Sequence, residues 1–258
     1  MRVLILGGTA EGYALAEALA RDARFAPVYS LAGRTQSPRL PSVSTRVGGF
    51  GGAAGLAAWI GEQGIEAIVD ATHPFAARMS ANAAVAAARL QTPLLRVDRA
   101  EWVAEPADDW RVVETVGAAA AALGAEPRKV FLTIGRTDVA AFKAAPQHSY
   151  VIRAVDAPGS AEVPAGALVI LERGPFDVAR EIDLMRMRGI EVIVSKNSGG
   201  EAALPKIVAA RQLGIPVVMI ARPPKPVVPV CSDVASAVQW LQARVLSAHG
   251  REISERGV

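Results

Sequence analysis

Residues able to do chemistry gather in glycine-rich and polar clusters that directly follow apolar runs. Gly7, Gly8, Thr9, Ala10 and Glu11, closed by Gly12, follow Arg2–Leu6. Glycines at such a turn let the backbone come close to a pyrophosphate, which then rests on the N-terminus of the next helix. The register is a variant of G-x-G-x-x-G, with Thr9 where the middle glycine falls, and an ordinary strand-to-helix turn is the competing reading. About 20 residues further on, an NAD site requires an Asp or Glu for the ribose 2′-hydroxyl. This chain has Ser30, Gly33, Arg34 and Thr35 there, with no acid between Tyr29 and Thr35. A guanidinium flanked by hydroxyls suits a 2′-phosphate, so the expected cofactor is NADPH.

A third cluster spans Gly48 to Gly52, where Gly49 and Gly51 flank Phe50. Backbone amides can approach a ligand there while Phe50 covers an apolar face; a flexible surface loop fits equally well. Asp70–Ala76 reads DATHPFA. Thr72 is expected to cap the following helix, with Pro74 in its first turn. His73 falls where a nicotinamide ring would lie, and could orient the cofactor, contact a substrate carboxylate or supply a proton. In the second half, Gly135-Arg136-Thr137-Asp138 opens a helix, with Asp138 as its expected cap. Ser195 is followed by Lys196, Asn197, Ser198, Gly199 and Gly200, a donor-rich nest suited to carboxylates or phosphates. Arg222 ends the run VVMIA, and Arg153 and Arg173 stand at or near strand ends. Singly these are solvated charges; together on one edge they suggest an anionic substrate.

Positioning these clusters requires strands that end in them. Short Val/Ile/Leu runs alternate with Ala-rich helical runs from end to end, the pattern of βαβ units. Strands are expected at Arg2–Leu6, Pro27–Leu31, Ser44–Val47, Glu66–Asp70, Pro93–Val97, Lys129–Ile134, Tyr150–Val155, Leu168–Leu171, Glu191–Val194 and Pro216–Ile220. Helices fill most of the gaps, the last over Asp233–Ala248. VLILGGTAEG at the start is echoed by VFLTIGRTDV from Val130. Glu101–Asp109 is acidic, carries Pro106 and lacks periodicity, so a boundary belongs there. The expected fold is α/β: two Rossmann-like domains with parallel sheets, 1–103 binding NADPH and 104–258 binding substrate, with an interdomain cleft. In such sheets ligands bind beyond the carboxyl ends of the strands.

Other chemistries find no support. One cysteine, Cys231, precludes an internal disulfide, and it reads as a small residue opening the last helix. The three His are widely spaced and build no metal site. A formal charge of +3 without basic blocks gives no footing for nucleic acid. No apolar run reaches the ~20 residues of a membrane span, and the first residues lack signal-peptide character, so a cytoplasmic protein is expected. Tyr-x-x-x-Lys, G-x-S-x-G, H-E-x-x-H and P-loop patterns are all missing. Hydride transfer remains well supported, because there the cofactor carries the chemistry and the protein orients the partners.

GGTAEG, DATHPFA, LTIGR at Leu132–Arg136, and VSKNSGG with KIVAARQLGIPVVMIARP together resemble the precorrin-6A reductase family, in the same order over nearly the whole chain. The resemblance implies NADPH-dependent reduction of one double bond of precorrin-6A to precorrin-6B in cobalamin biosynthesis. It also implies a tetrapyrrole substrate with many carboxylate arms, in keeping with basic strand ends. Ala203-Leu204-Pro205 before Lys206 departs from the family, where a Thr is common. A two-domain nucleotide-sugar glycosyltransferase and a non-catalytic NADPH-sensing module are the alternative readings. The sequence does not fix the oligomeric state.

Overall fold

The computed structural model describes residues 1–36 and 38–255. The chain forms two compact units, Met1–Arg99 joined by the chain from Pro224 onward, and Ala100–Pro223. The first contains β1 (Arg2–Leu6), α1 (Ala10–Ala20), β2 (Ala26–Leu31), β3 (Ser44–Val47), α2 (Gly52–Glu62), β4 (Ala67–Asp70), α3 (Ala77–Leu90) and β5 (Leu94–Val97). The second contains β6 (Trp110–Val113), α4 (Val116–Ala122), β7 (Lys129–Thr133), β8 (Ser149–Ala154), β9 (Leu168–Leu171), α5 (Val178–Arg188), β10 (Val192–Lys196), α6 (Pro205–Leu213) and β11 (Val217–Ile220), with 3-10 turns at Val139–Ala144 and Glu201–Ala203. The chain then returns to the first unit with β12 (Val230–Cys231) and α7 (Val234–Glu255).

Each sheet has six strands, ordered β3-β2-β1-β4-β5-β12 and β9-β8-β7-β10-β11-β6. Every pairing is parallel. The two orders are the same doubly wound pattern, with reversal points at β1/β4 and β7/β10. Only the sixth place differs: β6 precedes the strands of its sheet, whereas β12 follows the entire other unit.

This return corrects the expected second domain of 104–258. An edge is open beside β5, and Val230 and Cys231 fill it against Arg96 and Val97. The Arg96 guanidinium donates to the Pro226 carbonyl at 2.8 Å and fixes the returning chain. Ala237, Leu241 and Val245 of α7 then bury in the core cluster of Val3, Ile5, Leu15 and Leu19. Cys231 is thus a residue of β12, not the opening of the last helix.

Strand β1 shows why the strands read as unbroken apolar runs. Val3 and Ile5 face the α1 and α7 side, whereas Leu4 and Leu6 pack with Leu56, Ile60 and Ala83 of α2 and α3. Successive side chains point to opposite faces, and helices cover both. Fully burying one such Leu or Ile is worth about 1.5–3 kcal/mol, so the strand ends that carry the glycine turns are firmly held. The second unit repeats the device with Phe131, Ile193, Val217 and Met219 against α5 and α6.

Candidate cofactor turn and anion-binding loop

In the first unit, Gly7 is glycine because Tyr29 passes beside it: an added Cβ would lie 2.1 Å from the ring. The Gly8 N–H donates to the Tyr29 hydroxyl at 3.0 Å, and burial raises the pKa of that phenol. Gly8 itself has φ +114° and open space where a Cβ would project. Gly12 lets α1 approach β4, since its Cβ would meet that of Ala71 at 3.2 Å. Thr9, at the variant position, ties the turn together. Its hydroxyl accepts from the Gly12 N–H at 3.1 Å and donates to the Ala71 carbonyl at 2.8 Å. The N–H groups of Ala10 and Glu11 have no acceptor within the helix, as its geometry dictates, and face an anion placed beyond α1. The Glu11 carboxylate is engaged by Arg99 at 3.0 and 3.1 Å, which offsets its charge at that position.

The open Cβ direction at Gly8, the unsatisfied first-turn amides and the anion-favouring helix terminus fit a pyrophosphate. A shallow hollow bounded by Thr9, Glu11, Thr72, Pro74, Val97 and Arg99 lies at the ends of β1, β4 and β5. That is the reversal point where doubly wound sheets take their ligands.

Beyond β2, Arg34 is exposed and Gly33 takes φ +74°. Ser30, by contrast with Arg34, is turned into the fold. It is only 5% exposed, and its hydroxyl accepts from Arg46, a residue the sequence reading passed over. Thr35 is half-buried in the same segment as Arg34. Arg46 also binds the carbonyls of Gly48 and Gly49 and lies over the Phe50 ring, so the Gly49–Gly51 loop is anchored.

DATHPFA ends β4, but Thr72 does not cap α3. The helix starts only at Ala77, because His73, Pro74 and Phe75 first form a turn in which the Ala76 N–H donates to the His73 carbonyl at 2.7 Å. The Thr72 hydroxyl instead donates to buried Asp70 at 2.7 Å, and its N–H does so at 3.1 Å. His73 is half-buried, and its Nδ1 accepts from the Phe75 N–H at 3.2 Å. A neutral imidazole so placed carries its proton on Nε2.

In the second unit, Lys196 ends β10 and is paired with Asp138. Asp138 therefore gives no cap to the 3-10 turn that it precedes. Arg136 is half-buried in the same Gly135–Asp138 loop. Asn197 is turned inward: its Oδ1 accepts from the Trp102 N–H at 2.8 Å and its Nδ2 donates to the Trp102 carbonyl at 3.0 Å. Gly199, at φ +63°, admits the Ala100 carbonyl, which would stand 2.1 Å from an added Cβ. The Gly200 carbonyl accepts from the Trp102 indole at 3.2 Å. Arg222 donates to the Asn197 carbonyl at 2.9 Å and to the Ala100 carbonyl at 3.2 Å. Ser198 is buried, its N–H closing a tight turn onto the Lys196 carbonyl at 2.7 Å. Much of this polarity is therefore spent on binding the loop to Ala100–Trp102, a demand invisible in the sequence. Arg153, expected on the basic edge, is buried in a pair with Glu181 and stacked on Phe176 at 3.8 Å.

The architecture is that of a doubly wound α/β protein whose first strand ends in a glycine turn open to an anion, the design of dinucleotide-dependent enzymes. Residues 2–242 match the model of the family described as precorrin-6x reductase CbiJ/CobK. A precorrin-6A reductase from Sinorhizobium sp. is 50% identical over 93% of this chain and 94% of its own length. One from Rhodobacter capsulatus is 44% identical over 93% and 95%. A cobalt-precorrin-6A reductase from Priestia megaterium is 33% identical over 64% of this chain and 68% of its own. The solved structure named CobK precorrin-6A reductase superposes with a TM-score of 0.89 at 44% identity, covering 94% of this chain and 96% of that one. The chain belongs to the precorrin-6x reductase family and is an oxidoreductase of cobalamin biosynthesis, which sets aside the glycosyltransferase and sensor readings.

Proposed function

We propose that this protein reduces one double bond of metal-free precorrin-6A to give precorrin-6B, with NADPH as reductant, in the cytoplasm. The observation that carries the substrate is the near full-length identity to precorrin-6A reductases, against a shorter and weaker match to a cobalt-precorrin relative. NADPH is supported by Arg34 beyond β2, with no acid between Tyr29 and Thr35. Bound NADPH supplies the hydride. The residues of the chain hold its phosphates at Gly7–Glu11 and Arg34–Thr35, and keep an imidazole N–H at His73 beside the β4 end. In the second unit, Arg136 and Lys196 hold carboxylate arms of the macrocycle, with the Gly199–Gly200 turn supplying backbone donors and Arg222 clamping that turn to Ala100.

The test is anaerobic mixing of protein, NADPH and precorrin-6A while nicotinamide absorbance is followed. Stoichiometric loss of that absorbance with formation of precorrin-6B is expected, and no loss would refute the reading. Arg34→Ala should weaken NADPH by roughly 10- to 150-fold, the value of one charge-assisted contact of about 1.5–3 kcal/mol, with NADH almost unaffected. Equal losses for both nucleotides would move the 2′-phosphate elsewhere.

For the macrocycle, Lys196→Ala should raise KM only about 1.5- to 5-fold, because Asp138 already offsets its charge and partly exposed pairs are worth ~0.2–1 kcal/mol. Asp138→Asn should lower KM and steepen its salt dependence by unmasking the ammonium. Steady-state kinetics at two ionic strengths measure both. A rise in KM for Asp138→Asn would mean that the pair acts only as a loop tie.

A further inference from the structure

We infer that Arg46 is a positioning residue that preorganises the Gly48–Gly52 loop to receive the adenosine-phosphate half of the dinucleotide. This rests on the dinucleotide reading above and adds to it a residue and a loop with a defined task.

Arg46 lies on β3 directly opposite Ser30 of β2. Its guanidinium donates to the Ser30 hydroxyl at 3.0 Å, to the Gly48 carbonyl at 2.9 Å and to the Gly49 carbonyl at 3.1 Å. It stacks 3.8 Å from the Phe50 ring centre, and Phe50 in turn meets the edge of Trp59 on α2, centroids 5.4 Å apart. The far side of the loop is fixed as well. Gly55 accommodates the Phe50 carbonyl, which an added Cβ would approach to 1.8 Å. Only glycine readily adopts the φ values of +127° at Gly48, +78° at Gly51 and +87° at Gly52. Such a loop is built, not floppy.

Its orientation says what it is built for. In a trans peptide the C=O and the following N–H point in opposite directions. Carbonyls of Gly48 and Gly49 turned onto Arg46 therefore direct the N–H groups of Gly49 and Phe50 away from it. Gly48, Gly49, Gly51 and Gly52 each have open space where a Cβ would stand. Backbone donors and a side-chain-free surface thus face outward at the carboxyl end of β3, next to the β2 end that carries Arg34. Both dinucleotides present a ribose and phosphates to such a surface. Arg46 spends its own donors inward, so its effect is on loop geometry and not on the 2′-phosphate.

The test measures NADPH, NADH and 2′,5′-ADP binding by fluorescence or calorimetry, and KM and kcat for NADPH. Arg46→Lys keeps the charge and three donors, but on one nitrogen, without the planar fork that reaches these acceptors from two nitrogens and stacks on Phe50. It should weaken all three ligands alike, by roughly tenfold or more, and raise KM with kcat within about twofold of wild type. Arg34→Ala serves as the contrasting variant, with loss confined to the ligands bearing a 2′-phosphate. Loss restricted to NADPH and 2′,5′-ADP in Arg46→Lys, full retention by the lysine, or a fall in kcat at unchanged KM would each overturn the proposal. Arg46→Gln, whose single amide reaches at most one carbonyl, should weaken all three ligands at least as much, and it keeps the test decisive if Arg46→Lys does not fold. Wild-type protein that binds neither dinucleotide would overturn the underlying reading; the variant outcomes overturn this inference alone.

Discussion

Lys206→Met is expected to stabilise the protein near neutral pH by an amount on the order of 2–5 kcal/mol, with the gain shrinking as pH rises toward 10. Lys206 is 4% exposed on α6, its ammonium 5.0 Å from the Trp102 ring centre. Burial, reinforced by repulsion from Arg153 and only partly opposed by Glu181, lowers its pKa from 10.5 to about 7. In the unfolded chain the amine binds its proton up to about pH 10.4. Between pH 7 and 10.5 the unfolded state therefore holds a proton that the folded state lacks, and stability rises with pH. The penalty is full at and below pH 7 and vanishes above 10.5. At ~1.36 kcal/mol per pKa unit its ceiling is about 5 kcal/mol. Methionine keeps the unbranched apolar stem, one atom shorter, without the ionisable end. Denaturant unfolding at pH 7 and pH 10 measures the difference. A variant less stable than wild type at pH 7, or with the same pH slope, would show that the amine is well solvated or firmly paired.

Positions of this kind mark where the sequence stopped being legible. The strands were readable because each is covered on both faces, so residues such as Val3–Leu6 form unbroken apolar runs. Places where structure is decided by a neighbour were not. β12 is two residues long and owes its existence to an open edge beside β5. β6 follows an acidic stretch that looks like a linker, but Asp108 in that stretch takes two 3.0 Å bonds from Arg211 of α6. Thr72 and Asp138 had the residue types and places of helix caps, and each spent its side chain on a partner distant from the helix start.

The candidate site divides in the same way. The glycines at the β1 end announced a turn, but their assignments needed coordinates: Gly7 yields to Tyr29, Gly12 to Ala71, and only Gly8 leaves its Cβ direction open. Asn197 and Arg222 read as ligand donors because a donor-rich loop beyond a strand is as good an anion nest as it is a backbone clamp. The difference lies in whether a chain segment such as Ala100–Trp102 runs past it, and local sequence carries no trace of that. Arg46 was missed for the converse reason, since an isolated arginine in a polar strand has no pattern to set it apart.

His73→Ala should lower kcat by a factor on the order of 10²–10⁴ or less, at the modest end if only positioning is lost, with NADPH affinity nearly unchanged. The expectation rests on a geometry that the turn enforces. The Phe75 N–H occupies Nδ1 at 3.2 Å, and the Phe75 ring lies 5.9 Å away, centroid to centroid, tilted by 44°. The proton of the neutral ring is thereby kept on Nε2, the nitrogen able to donate a hydrogen bond to a carboxamide or a substrate carboxylate; protonating a carbon after hydride addition would require the doubly protonated ring, with the Phe75 contact at Nδ1 given up. Reduction of the double bond requires one hydride and one proton, and water can supply the proton, so the imidazole need not be obligatory. His73→Gln separates the roles. Its amide can place an N–H near the Nε2 position but cannot give up a proton at neutral pH. If His73 orients a partner, glutamine should restore much of the rate, and kcat should keep the wild-type pH profile. If it is the acid, glutamine should be as slow as alanine, and the pH dependence of kcat should differ from that of wild type. Single-turnover rates across pH, with unfolding curves to confirm the fold, decide between them. Wild-type rates in both variants would leave His73 a residue of the turn and nothing more.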